Sequence, residues 1–184
     1  QDYLLYSHRE NGLPVKIVNP TFMLGPNAND PGPGSGSVII SMYEGKISRY
    51  PDGGGNYVHV RDVAEAAVHA ISKGNMGECY IAGNKNLSYR EIYRIMADIL
   101  GVEAPQRRIS PFRSVVKAIL GNVKSRITGN PPELSLPMAR LQNAGCYYSS
   151  EKAVRELEMP QTSVATAIRE AYRWFLAHGY IRRR

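Results

Sequence analysis

The chain has 184 residues, 43% of them hydrophobic and 21% charged, with a formal net charge of +7. That length is enough for a packed core, and the composition excludes a disordered or fibrous chain. No apolar run approaches the roughly 20 residues of a membrane-spanning helix, and the N-terminus opens on a polar, helix-like stretch rather than the apolar core of a signal peptide.

Cys79 and Cys146 lack metal-ligand spacing and read as buried free thiols of a reducing compartment. No metal site is expected, and the cytoplasm is the expected location. The basic residues, among them Arg107, Arg108, Lys117, Lys124, Arg126 and the terminal Arg182, Arg183 and Arg184, are spread along the chain. No stacking-platform motif accompanies them. A solvated face with a basic tail is the expectation, rather than a nucleic-acid surface.

Residues 1–11 read as the end of a helix, stopped by Asn11-Gly12 and Leu13-Pro14. The stretch has no starting cap, as though it continued a longer helix. Residues 15–18 (VKIV) form a short apolar strand of the kind found in a covered parallel sheet. Asn19-Pro20 ends it, because proline has no N–H for the ladder. Residues 20–36 form a long loop dense in Pro, Gly and Asn. It leaves the carboxyl end of a strand, where α/β sheets bind ligands. The run Gly32-Pro33-Gly34-Ser35-Gly36-Ser37 is not a dinucleotide fingerprint. Its spacing is wrong, proline interrupts it, and no strand directly precedes it. Ser37 is placed to cap a helix over 38–43, whose free amides could face a phosphate or ribose.

A short strand over 47–50 and a turn over 51–55 lead to the clearest unit, residues 53–73 (GGGNYVHVRDVAEAAVHAISK). Residues 56–60 alternate polar and apolar as a strand. Asp62 and Glu65 have the spacing of a capping box. Val63, Ala66, Ala67, Ala70 and Ile71 then give a small-residue face that lets a helix lie close to a sheet. Residues 78–82 read as a strand. Residues 87–101 read as a helix with its own capping box, Ser88 and Glu91, an apolar stripe at Ile92, Ile95, Met96, Ile99 and Leu100, and a stop at Gly101. An edge strand over 107–110 follows. Residues 111–128 are amphipathic, with Val115, Val116, Ile119, Leu120, Val123 and Ile127 on one face. After Pro131-Pro132 come a helix over 137–143, a brief strand over 146–148, and helices over 150–157 and 163–178. The last carries Ala167, Ile168, Ala171, Trp174 and Phe175, a core stripe rather than a cofactor box.

Five of these segments carry a resemblance. Tyr57-Val58-His59-Val60-Arg61-Asp62-Val63-Ala64 resembles the "YVHVxDVA" segment of the extended short-chain dehydrogenase/reductases, the NAD(P)-dependent epimerase/dehydratase superfamily. Asn19-Pro20-Thr21 with Leu24-Gly25-Pro26 resembles its "NPTxxxGP", Gly77 to Ile81 its "GExYIxxG", Ser149 to Leu157 its "SSxKAxxEL", and Trp174 to Ile181 its terminal "WFxxxGY". The chain is most similar to the dihydroflavonol-4-reductase-like branch, and the likeness runs over nearly its whole length. It implies an α/β chain: the C-terminal part of a Rossmann-type fold with a smaller substrate-binding subdomain. A single domain is expected, with 1–83 as the last βα units of the cofactor sheet and 84–184 as a mostly helical substrate subdomain.

Enzymes of this kind bind NAD or NADP on an N-terminal Rossmann half and use a Tyr-x-x-x-Lys pair, in which the lysine lowers the tyrosine pKa and holds the nicotinamide ribose. This sequence has no GxxGxxG between a strand and a helix. Its one Tyr-x-x-x-Lys, Tyr148 and Lys152, falls in the late "SSxKA" stretch and reads as surface structure. No catalytic residue is therefore assigned. The expectation is a fragment, inactive alone, that needs a missing N-terminal Rossmann half. It would contribute part of the nicotinamide site and a pocket for a small-molecule substrate, and the resemblance leaves room for a homodimer. The resemblance places Val18, Asn19, Pro20 and Thr21 at the nicotinamide, Ser35 or Ser37 on the ribose-phosphate side, and Phe22, Met23 and Leu24 in the substrate wall. The region from Ile109 onward would continue that wall. His59 falls within a strand, and a hydrogen-bonded structural role is favoured over acid–base work. Nucleotide-sugar epimerases carry Arg-Asp where this chain has Gly55-Asn56. A bidentate phosphate grip is missing there, which favours a reductase of a small carbonyl compound. The alternative is a non-catalytic ligand- or protein-binding module derived from the same fold.

Overall fold

The computed structural model describes residues 1–27, 34–129 and 135–182, with the backbone alone at 35, 123, 124 and 126–128. In chain order the elements are α1 (Asp2–Asn11), β1 (Ile17–Pro20), β2 (Phe22–Leu24), α2 (Ser35–Tyr43), β3 (Arg49–Tyr50), β4 (Gly54–His59), α3 (Val60–Lys73), β5 (Cys79–Ala82), β6 (Lys85–Ser88), α4 (Tyr89–Leu100), β7 (Arg107–Arg108), α5 (Pro111–Thr128), α6 (Leu136–Ala144), α7 (Glu151–Leu157) and α8 (Val164–Ala177). They divide into two compact units that interleave in sequence. One holds Gln1–Ser37, Asn56–Lys85 and Tyr148–Arg184; the other holds Val38–Gly55 and Asn86–Tyr147. The last helices fall in one unit with the first strands, and the chain from Val38 to Gly55 falls in the other with the later helices.

In the first unit the strand pairs are parallel. β1 pairs with β5, from Ile17 opposite Cys79 to Pro20 opposite Ala82. The chain breaks register at Thr21 and continues as β2, which pairs with β4, from Phe22 opposite Tyr57 to Leu24 opposite His59. The segment expected as loop from residue 20 thus keeps three residues of strand, and residues 28–33 of that loop lie outside the described chain. A buried cluster of Val58, Val63, Ala66, Ala70, Tyr80, Ala82, Ala153, Leu157 and Met159 joins α3, α7 and the strands. Ala66 and Ala70 keep the helix close to the sheet, as expected. Ala67 and Ile71 do not share that role: both are exposed, Ile71 at 77%. The face that meets the sheet is narrower than the apolar pattern.

α3 starts without a loop. His59, the last residue of β4, is also the N-cap, and its side chain accepts the Arg61 N–H. The expected Asp62–Glu65 box is not the cap. Asp62 is buried, and its carboxylate accepts the N–H and hydroxyl of Thr162, both at 2.7 Å. The terminal aromatic motif explains itself in space. Gly179 has φ 74°, a conformation that favours glycine. It turns the chain back so that Tyr180 stacks on Trp174 at 5.4 Å and meets Phe175 edge-on at 5.9 Å.

In the second unit α4 has the capping box seen in sequence: Ser88 and Glu91 each bind the other's backbone N–H. Its buried stripe is Ile92, Tyr93, Met96, Ala97 and Leu100. β3 and β7 pair in parallel, and Arg108 binds Asp52 at 2.9 Å. α5 has the expected ends, and of the residues on its expected apolar face, Val123 and Ile127 lie outside the described side chains. Ser114 and Ala118 are buried, whereas Phe112, Val116, Ile119 and Leu120 are exposed. α5 packs on α6, where Asn143 donates to Ser114 Oγ at 2.8 Å. The strand expected over 146–148 is a single bridge between Gly55 and Cys146. Both cysteines are free and half-buried rather than buried.

Burial raises the Tyr93 phenol to about 12, with Tyr89 adding to the shift. The folded-state value lies above the unfolded value of 10.0, so the neutral phenol's contribution is complete below pH 10.0 and is lost as pH rises towards 12. Urea melts from pH 9 to 12 will show parent stability falling more steeply than that of Tyr93→Phe; parallel curves would refute the assignment.

Candidate functional site

Parallel α/β sheets bind ligands beyond the carboxyl ends of their strands. Here β1, β4 and β5 deliver Asn19 to Leu24, Asn56 to His59 and Ala82 to Asn84 to that edge. The chain there is held by one buried amide. Asn56 is 2% exposed. Its Oδ1 accepts from the Thr21 hydroxyl at 2.9 Å and from the Asn84 N–H at 2.9 Å, and its Nδ2 donates to the Tyr148 carbonyl at 3.1 Å. The Thr21 N–H is bound to the Ala82 carbonyl at 3.0 Å. Gly83 must be glycine: a Cβ there would lie 2.3 Å from Asn56 Oδ1. In sequence Asn56 opens an alternating strand and completes the Gly55-Asn56 pair that stands in place of Arg-Asp, and neither marks it as a buried hub. The signal that was available is a strand-forming position filled by an amide between Gly55 and Tyr57, since amides are depleted in strands.

The expected nicotinamide residues lie along this edge. Val18 is half-buried and packs on the core cluster. Asn19 is half-buried, and among the described residues its amide has no hydrogen-bond partner. Pro20 is exposed and brings no N–H. With the Thr21 N–H already bound, neither residue can donate to a ligand from its backbone. Phe22 and Met23 are exposed, and Phe22 meets Tyr57 edge-on at 5.3 Å. Leu24 is 2% exposed, so its side chain belongs to the interior rather than to a surface wall. Ser37 does not cap α2. It sits inside the helix, which begins at Ser35, and its hydroxyl donates to the Gly34 carbonyl at 2.7 Å. The Ser35 side chain lies outside the described residues.

His59 is fully buried and bonded at both nitrogens. Nδ1 accepts the Arg61 N–H at 3.0 Å, which leaves Nε2 to carry the proton and donate it to Glu170 at 3.2 Å. Arg61 binds the same carboxylate at 3.1 Å. This is the structural histidine the strand position suggested. Lys152 is turned away from acid–base work. It pairs with Glu78 and lies 4.8 Å from the centre of the Tyr80 ring. Its hydrogen bond to Glu78 is the main cause that raises its pKa. Among the described residues no group of three His, Cys, Asp or Glu is placed to hold a metal ion.

Residues 1–83 match the NAD dependent epimerase/dehydratase family. A putative dihydroflavonol 4-reductase of Synechocystis is 29% identical over 94% of this chain and 51% of its own length. The solved structure of gox2253 is 30% identical, with a TM-score of 0.82 over 98% of this chain and 55% of that one. A nucleoside-diphosphate-sugar epimerase from Pseudomonas aeruginosa is 27% identical, with a TM-score of 0.80 over 98% and 54%. The fold is therefore α/β with short-chain dehydrogenase/reductase neighbours, and the chain spans about half the length of the relatives it matches. Fold neighbours at 16% identity include RMD from Pseudomonas aeruginosa complexed with NADPH and a UDP-glucuronic acid 4-epimerase from Bacillus cereus in complex with NAD.

Two substitutions test the edge. Asn56→Asp replaces the donor to Tyr148 with a buried carboxylate oxygen and will cost roughly 2–4 kcal/mol in urea unfolding; a loss below about 0.5 kcal/mol would refute the hub. His59→Asn, which keeps an N-cap acceptor, will retain about 1 kcal/mol more stability than His59→Ala. Equal losses would mean that the cap is not what His59 supplies.

Proposed function

We propose that this chain is the substrate-facing, C-terminal portion of an NAD(P)-dependent reductase of the extended short-chain dehydrogenase/reductase kind. The observation that carries the reading is the edge from Val18 to Met23. It lies at the carboxyl ends of parallel strands, within the segment that matches the epimerase/dehydratase family. Pro20 and Thr21 offer acceptors only, which suits the N–H donors of a nicotinamide carboxamide. Asn19 has an amide free for a further bond, and Phe22 and Met23 give an apolar surface beside it. The cofactor would supply the hydride. The residues here would orient its ring and exclude water, while the proton would come from a Tyr-x-x-x-Lys pair on the half that the relatives carry in addition.

Reduction of a small carbonyl compound is favoured over turnover of a nucleotide sugar. Gly55 and Asn56 stand where an Arg-Asp pair with a phosphate-gripping arginine would be expected, and Asn56 is engaged inside the protein. Three relatives bear reductase names: the putative dihydroflavonol 4-reductase, a tetraketide alpha-pyrone reductase of Arabidopsis thaliana and a dTDP-4-dehydro-6-deoxy-D-allose reductase of Streptomyces bikiniensis. The last acts on a sugar nucleotide by its name, so substrate class needs a direct test.

The experiment compares this chain with the same chain extended by its upstream coding sequence, in thermal unfolding with and without NADPH and NADH. The extended protein will be stabilised progressively by one of the two nucleotides and will reduce ketones, whereas the chain alone will be unmoved. A shift in the chain alone would overturn the division of the site. Turnover of a UDP-sugar by the extended protein would overturn the substrate class.

A further inference from the structure

The carboxylate of Glu170, in α8, reaches a buried ring 111 residues away in the chain. His59 Nε2 donates to Glu170 Oε2 at 3.2 Å, and Arg61 donates to the same oxygen at 3.1 Å. The other ring nitrogen accepts the Arg61 N–H at 3.0 Å, as the cap of α3. With both nitrogens engaged, the imidazole is fixed in one orientation. The His59 side chain is 0% exposed and that of Glu170 30%, so the pair runs from the interior to the outer side of α8.

The fixed ring lies against the end of β2. Leu24, the last residue of β2, stands opposite His59 in the parallel register, and α8 packs on β2. At the next residue, Gly25, a Cβ would lie 2.6 Å from Val60 Cγ1 and 3.5 Å from His59 Cε1. The chain leaving β2 therefore rests directly on His59 and Val60, an approach that needs glycine. An imidazole free to turn would remove one of those two supports. Phe22 and Met23, the exposed apolar pair, are the residues just before Leu24.

We infer that Glu170 is a positioning residue for β2: through the His59 ring it fixes where Phe22 and Met23 stand at the sheet edge. The inference rests on the reading above, in which these two residues give the apolar surface beside the nicotinamide. Glu170 acts there through His59 and contributes to how a carbonyl substrate is seated, not to the hydride or proton transfer. The Arg61 side chain is 62% exposed, so its bond to Glu170 is weakened by water, and the buried His59 bond carries the effect.

The test joins amide hydrogen exchange of this chain with ketone reduction by the extended protein. Glu170→Ala suits a helix but leaves the His59 Nε2–H without its acceptor. The amides of Phe22 to Gly25 will then exchange roughly tenfold faster, while those of β1 and β5 keep parent rates. Glu170→Gln keeps an acceptor oxygen and will restore slow exchange, and Arg61→Gln will match the parent. In the extended protein Glu170→Ala will raise KM for the ketone roughly tenfold with kcat within about twofold, and Glu170→Gln will recover the parent KM. Exchange that quickens equally across β1, β2 and β5 would mean a general loss of stability and would overturn the inference. Parent-like exchange in Glu170→Ala, or faster exchange with an unchanged KM, would overturn it too. An extended protein that reduces no ketone would instead sink the reductase reading, and the exchange pattern would still decide whether Glu170 positions β2.

Discussion

The amide of Asn56 is buried where β1 gives way to β2, and it answers donors and acceptors from three separate stretches of chain. Thr21 lies 35 residues before it, Asn84 28 residues after, and Tyr148 92 residues after. An unpaired polar group at that depth costs roughly 1–3 kcal/mol, so the three bonds act as a requirement on geometry. Thr21 has to turn inward, which breaks the strand. Gly83 has to lack a side chain. Tyr148 has to bring its carbonyl back to the sheet edge. The direction in which residues 18–23 face is set by these conditions more than by any property of those residues themselves.

A second constraint of the same kind lies one turn further on. β4 passes into α3 through a single residue, so there is no loop in which a conventional cap could sit. His59 serves as cap because it is the only residue in position, and burial then obliges its other nitrogen to find Glu170. Asp62, freed from capping, holds Thr162 ahead of α8. Polar side chains buried around the start of α3 thus position segments about 100 residues distant.

What the sequence made legible was whatever depends on neighbours in the chain. The helix stop at Gly12, the capping box of α4, the ends of α5 and the βα unit around residue 60 all rest on local rules. What stayed hidden depends on distant partners. β2 is three residues long and exists only through β4. Asp62 and Glu65 have the right spacing for a capping box, but Thr162 decides what Asp62 does. Asn56 looked like an ordinary polar position because its three partners come from scattered segments. On α5 the periodicity showed which residues share a face, but not what that face meets. The interleaving of the two units was also out of reach, because no linker composition marks where the chain passes from one to the other.

That interleaving has a consequence for synthesis. The first unit includes residues from Gln1 and is closed by segments from Tyr148 onward, while all of the second unit is translated in between. On the ribosome, β1, β2, β4 and β5 emerge well before the carbonyl that Asn56 requires and before the threonine that Asp62 binds. The sheet edge therefore stays polar and incompletely paired during translation, whereas the helices of the second unit have all their sequence available earlier. Vectorial folding should deliver the candidate binding edge last, after α7 and α8 have left the exit tunnel. A nascent chain arrested before Tyr148 would expose that unfinished edge to chaperones.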